Sequence, residues 1–345
     1  MDRANTASSS QWIFGNSVKD LFWFFVPGPF LFLINYGINS PVGSRLMIYY
    51  YFFVSSFLGS GHIYTTGLRT YANPTEVRRS SMYVWAPLII FVIFFIWRFL
   101  SWDWIMYIPA YFGIWHFMRQ SFGIQKWYQR NNGIFRKGSD FFVQLLSFLP
   151  FVILHFRAPK QFNMILFPND LLYWPNPLLL KISITVYLIG LISWLIYEIK
   201  IWNVGELNRV SYVALTAILN GVCFCLGQNE LEILFPLIAY HGTAYFGVMS
   251  LSLSRTKQKF PWRRALALTL ATALVFGYYE KVIEFFPNRV SIFWESIWAG
   301  IYVTPIMLHY IYDTVIWTSN HPDAKKIYGA MTKPALKPAY MKYEN

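Results

Sequence analysis

Residues 104–124, W-I-M-Y-I-P-A-Y-F-G-I-W-H-F-M-R-Q-S-F-G-I, decide how the rest of the chain is read. The run is long and apolar enough to cross a bilayer as a helix, yet its second half holds His116, Arg119 and Gln120. One helical turn separates His116 from Arg119 (i+3) and Gln120 (i+4), so all three share one face. Ionisable groups at membrane depth are costly, and a chain that carries several there generally uses them. The segment therefore predicts both a polytopic membrane fold and a polar site inside it.

Composition points the same way. Of 345 residues, 56% are hydrophobic, 21% aromatic and only 13% charged, with a mean hydropathy of +0.36. That is far from the balance of a soluble domain. The formal charge of +13 sits largely in short loops between apolar runs, a pattern that reports membrane topology and argues against nucleic acid as a partner. The first ten residues are mainly polar and lack the charged, apolar and small-residue sequence of a signal peptide, so no removable leader is expected. Cys223 and Cys225, spaced i and i+2, fit neither a disulfide framework nor a C-x-x-C motif and are expected to be buried, inert thiols.

Apolar runs bounded by charge, Pro or Gly give ten predicted spans, at 20–38, 45–66, 82–100, 104–124, 140–156, 178–200, 209–227, 231–253, 264–285 and 291–317. The first is interrupted by Pro27-Gly28-Pro29, and the stretch between Arg157 and Pro177 is expected to be an interfacial loop or a short helix lying on the membrane. The organisation expected is a cytoplasmic segment over 1–19, an all-α transmembrane bundle over 20–317 and a basic cytoplasmic tail over 318–345. Most of the 29 lysines and arginines then fall on the side of the N-terminus, which places both termini in the cytoplasm.

Four of the six histidines fall in even-numbered spans, which all run from outside to inside. His62, His116, His241 and His309 each lie roughly 8 to 12 residues before a cytoplasmic helix end, about 12 to 18 Å in. Parallel helices can aim four imidazoles at one point at that depth. His155, at an external helix end, and His321, in the tail, cannot join them. Thr65, Thr66 and Arg69 follow His62, Thr243 and Tyr245 follow His241, and Asp313 follows His309 at i+4, company suited to orienting imidazoles around a metal. Asp313 can alternatively serve as a fifth ligand. Glu198, near the interface, is a weaker candidate for handling protons.

Neutral imidazole suits iron, zinc, copper and nickel, whereas magnesium and calcium want oxygen. A buried site reached from the bilayer favours iron, and with it the oxidation, cleavage or desaturation of a lipid-soluble substrate. An electron-donor protein is a further expected partner. Arg119 and Arg69 suit a carboxylate, a phosphate or an anion on the metal, and Gln120 can orient bound oxygen. Competing readings are haem held by two of the histidines, a transporter using the His/Arg/Asp set, an acyltransferase with one catalytic histidine, and plain helix-to-helix hydrogen bonding. Arg119 can also simply snorkel to the headgroups.

The strings W-H-F-M-R-Q (Trp115 to Gln120), G-H-I-Y-T-T-G-L-R (Gly61 to Arg69), A-Y-H-G-T-A-Y (Ala239 to Tyr245) and H-Y-I-Y-D (His309 to Asp313) resemble motifs of a group of bacterial polytopic membrane proteins to which no function is assigned. The resemblance implies a bacterial cytoplasmic membrane protein and leaves the activity open. In general plan the chain is also similar to the bacterial membrane β-carotene dioxygenases, which implies one iron held by histidines from separate helices. Their motifs do not align to this chain, and no residue role follows from the likeness.

Overall fold

The computed structural model describes residues 12–38, 49–157, 171–256, 260–284, 291–318, 321–323 and 326–327. Among them the chain is helical, with no strand. The short helix α1 (Ser17–Asp20) continues as a π-helical turn over Leu21–Phe25 and meets α2 (Pro27–Ile38) at a bend of 45°. That bend falls at the Pro27-Gly28-Pro29 interruption, where a proline lacks the N–H needed to continue the preceding turn. A second π-helical stretch, Phe53–Ser60, leads directly into α3 (Gly61–Arg69). Pro74 then starts α4 (Pro74–Arg79) at its first position, where a missing N–H costs nothing.

Longer helices follow: α5 (Met82–Phe99), α6 (Tyr107–Asn132), α7 (Lys137–Arg157), α8 (Pro177–Lys200), α9 (Leu207–Leu226), α10 (Glu230–Thr256), α11 (Trp262–Glu284) and α12 (Ile292–Ile316). Asn176 caps α8, its side chain accepting from the N–H groups of Leu178 and Leu179, with Pro177 behind it. Pro87, Pro150, Pro236 and Pro305 lie inside α5, α7, α10 and α12, as membrane helices tolerate where neighbouring helices satisfy the freed carbonyls.

Among the described residues six helices are long and apolar enough to cross a membrane, or seven if the bent pair around Pro27 is one span. This is fewer than the ten expected. The shortfall has a physical cause: α6 and α12 have the length but not the apolarity, because they hold the charged and polar residues of the site, and α3 is short and follows a separate π-helical stretch. The interfacial element expected after Arg157 falls mostly on 158–170, outside the described residues.

Burial separates centre from rim. In α10, 89% of the spanning window is buried, against 17% in α5 and 22% in α8. Leu188, Ile189 and Ile192 of α8 and Leu88 and Ile89 of α5 are exposed, an apolar surface suited to lipid. α10 is the axis of the bundle, and it carries His241.

A candidate metal centre

Four histidine rings meet beside α10. Their ring centroids form a closed ring of contacts, His62 to His241 4.8 Å, His241 to His116 4.8 Å, His116 to His309 4.6 Å and His309 to His62 4.9 Å, with His241 and His309 6.2 Å apart across it. All four are buried, none more than 5% exposed. They come from α3, α6, α10 and α12, so four helices separated in sequence supply one imidazole each.

Small residues make that approach possible. A Cβ at Gly242 would collide with the carbonyl of Leu58, and one at Gly61 with the carbonyl of Ala273. Both glycines adjoin a histidine, and both let backbones close in on each other, as small residues do at membrane helix contacts. The same Leu58 carbonyl, in the π-helical stretch, lies 2.7 Å from Nδ1 of His62. A carbonyl only accepts, so Nδ1 of His62 carries the hydrogen and Nε2 is left as a lone pair.

A hydrogen-bond chain fixes His309 in the same form. Tyr245 donates to Oδ1 of Asp313 at 2.8 Å. Its one proton being spent, Tyr245 accepts from Thr66 Oγ1 at 2.7 Å. Thr66 in turn accepts from Nδ1 of His309 at 2.7 Å. His309 therefore also presents a bare Nε2. Asp313 sits 3.7 Å from Nε2 of His116 and 3.7 Å from Nδ1 of His309.

Nε2 of His116, Nε2 of His309 and both ring nitrogens of His241 are buried without a hydrogen-bond partner. One nitrogen each from His62, His241 and His309 lie within 4.8 Å of one another, as do ligand atoms of His116, His309 and Asp313. Bonds of about 2.1 Å to one metal would draw these atoms closer together. A cavity of about 20 Å³ next to Gln120 and His241 can hold a water. Of the four histidines only His241 is in its lining.

The other expected site residues are placed less uniformly. Gln120 donates to the backbone carbonyl of His241 at 3.2 Å, tying α6 to α10. Arg119 lies one turn beyond His116 with its guanidinium carbon 5.9 Å from the centre of the Trp115 ring and 5.0 Å from that of Phe122. Arg69 is 2% exposed and pairs with Asp323 of the tail at 3.4 Å, while its Nε and one terminal nitrogen have no partner. Glu198 is locked to Arg209, with two contacts of 2.8 and 2.7 Å, in a cluster of its own.

His155 stands apart, bonded to Tyr111 at 2.7 Å and to the Phe151 carbonyl at 2.9 Å. His321 also stands apart, next to Glu76 at 3.1 Å. His321 and Ile327 are nonetheless buried, so this part of the tail packs on the bundle and does not extend over its surface. Cys223 and Cys225 are free thiols, the first buried and the second partly so.

Sequence reasoning missed the Leu58 carbonyl and the glycines at 61 and 242. The signal was a glycine beside a histidine inside an apolar helix, G-H at 61–62 and H-G at 241–242. Compared with family models, with curated proteins and with solved structures, the chain matches none.

Proposed function

We propose that the chain is an integral membrane oxidoreductase with a mononuclear non-haem metal centre, iron by preference, held by His62, His116, His241 and His309. Unpartnered ring nitrogens carry this reading. A histidine that only glues helices together makes hydrogen bonds, and each buried nitrogen left without one costs roughly 1–3 kcal/mol. Several such nitrogens in one cluster, with two of the rings held so that Nε2 is a lone pair, are the donor set of a metal that prefers imidazole.

Four rings within contact of one another leave no flat slot for a porphyrin, which favours a non-haem centre over haem. Iron is preferred because O₂ and apolar substrates both partition into the bilayer. Cleavage of a carbon–carbon double bond by O₂ balances without a reductant, both oxygen atoms ending in the two carbonyl products. Desaturation and hydroxylation each need two further electrons from a donor protein. A ten-span arrangement with both termini in the cytoplasm belongs to this proposal, with α6, α12 and the Phe53–Ser60 stretch continued by α3 spanning despite their polar residues, because the histidines and Asp313 face the site.

Metal analysis and an absorption spectrum on detergent-purified protein, prepared without chelators, test the proposal. About one metal ion per chain is expected with no Soret band, lost on changing any one of the four histidines to alanine and kept in His155→Ala and His321→Ala. Full occupancy in two or more of the four single variants, or a metal-free wild type, overturns it. A Soret band turns the reading to haem.

A further inference from the structure

A second cavity, of about 740 Å³, runs along α6 beside the histidine cluster. Its size is that of a pocket for a small organic ligand. His116 and Asp313 line it, so its inner end is the edge of the metal centre, and Arg130 lines it too. From His116 to Arg130 is about 21 Å along a helix. The walls carry aromatic rings, among them Trp115, Phe122, Trp127 and Trp317, and three cations, Arg119, Lys126 and Arg130. Asp313, at the inner end, is the one acidic residue in the lining among the described residues.

The cations differ in what they already hold. Lys126 is paired with Asp140. Arg119 has no acidic partner among the described residues, and its guanidinium rests on the rings of Trp115 and Phe122. Stacking of this kind keeps a guanidinium at a wall while its N–H fork stays available to a carboxylate or phosphate. An unneutralised cation at the exposed edge of an aromatic-lined cavity, one helical turn from His116, is a site for an anionic group whose apolar remainder lies on the rings.

From this geometry we infer that the cavity binds a single-chain amphiphile with an oxyanionic head, a carboxylate or a phosphate monoester, held by Arg119 with its apolar body against the aromatic walls. The substrate class rests on the metal-centre reading; the binding does not. Because Arg119 follows His116 by one turn, the carbons presented to the centre are those near the head.

The test uses the full-length protein in phosphatidylcholine nanodiscs, with oleate, oleyl phosphate and oleyl alcohol as probes and tryptophan fluorescence as the signal. Saturable binding of oleate or oleyl phosphate is expected, with the alcohol at least about tenfold weaker, the range of a charge-assisted hydrogen bond. Which anion binds better identifies the head. Arg119→Gln is expected to weaken the anion by about ten- to a hundredfold and leave the alcohol unchanged, Arg119→Lys to fall between, and Lys181→Gln, on exposed α8, to change nothing.

Equal binding of alcohol and anions in the wild type overturns the inference without recourse to any variant. So does an unchanged Arg119→Gln, or an equal loss in Lys181→Gln, which would report general attraction to the membrane surface. Metal is measured on the same samples. A metal-free wild type that still selects the anions defeats the metal reading alone, and a metal-loaded wild type that does not select them defeats this inference alone.

Discussion

Two buried polar clusters in this molecule are built from similar means and finished differently. One lies where α7, α8 and α9 meet. Arg209 donates there to both oxygens of Glu198 and, through Nε at 2.8 Å, to Glu206. Ser139 adds a hydrogen bond to Glu198 at 2.8 Å and Arg136 another to Glu206 at 2.9 Å. Each group's charge is matched and its donors or acceptors are used. The other is the buried four-histidine cluster, in which four ring nitrogens have no hydrogen-bond partner among the described residues. A buried polar group without a partner is a standing cost. The ion cluster is thus complete as structure, whereas the proposed metal would supply the partners that the histidine ring nitrogens lack.

Removing one member of each should separate them, and this is the largest effect expected. Arg209→Met leaves Glu198 and Glu206 buried without their cation, and loss of one partner from such a cluster costs about 3–5 kcal/mol. His241→Leu, in metal-free protein, removes two unsatisfied nitrogens and is expected to leave thermal stability within about 1 kcal/mol of wild type, or to raise it. Saturating metal should then stabilise the wild type by about 4 kcal/mol at a thousandfold excess over Kd and leave His241→Leu unmoved. Thermal unfolding of the three proteins with and without metal reads all of this. A destabilised metal-free His241→Leu would erase the distinction between the clusters.

How much of this was legible in the sequence follows from what each feature depends on. The common depth of the histidines came from counting residues to helix ends, because rise per residue is constant, and the structure places the four rings in contact. Asp313, Thr66 and Tyr245 could be named because i+3 and i+4 spacings set who shares a face. Their order as one hydrogen-bonded chain, however, depends on how α3, α10 and α12 are rotated against each other, which spacing leaves free. Arg69 shows the same limit. Its place on the His62 face was readable, but its pairing with Asp323 depends on the tail folding back to α3, and neither residue is near the other in sequence. α6 and α12, counted as spans in the sequence reading, fall short of a membrane helix in apolarity because the residues that make the site are the ones that lower it.

A smaller effect sharpens the comparison from within the histidine cluster. Tyr245→Phe removes the link through which Thr66 is made a donor, so Thr66 can turn and donate to Nδ1 of His309, freeing that ring to take the other tautomer. The ring loses its fixed Nε2 lone pair while each histidine remains. Loss of such an orienting hydrogen bond lowers metal affinity by about ten- to a hundredfold in known centres. Competition with a chelator of graded strength measures this. An unchanged affinity in a folded Tyr245→Phe variant would mean that the Thr66–Tyr245–Asp313 chain belongs with the ion cluster, as structure alone.

The smallest effect concerns the tail, where Asp323 meets Arg69 and Lys326 beside His321, Glu76 and Arg79. Burial works against the charge of Asp323, but Arg69 and Lys326 outweigh it and hold the carboxyl below its ordinary range. A depressed carboxyl stabilises the contact fully above the ordinary value of about 3.9 and loses it as pH falls through the lower folded value. The tail contact should therefore be constant from neutral pH to about 4 and weaken only below. Asp323 lies 3.4 Å from the buried Arg69 and is itself largely shielded from water, so Asp323→Asn should speed tryptic cleavage of the tail and abolish the acid step. Because Arg69 lies on the same helix as Thr66 and His62, metal content in Asp323→Asn decides whether the tail contact bears on the site. Unchanged content separates the tail from the site, and a loss comparable to that of Tyr245→Phe makes the tail part of the frame that orients α3.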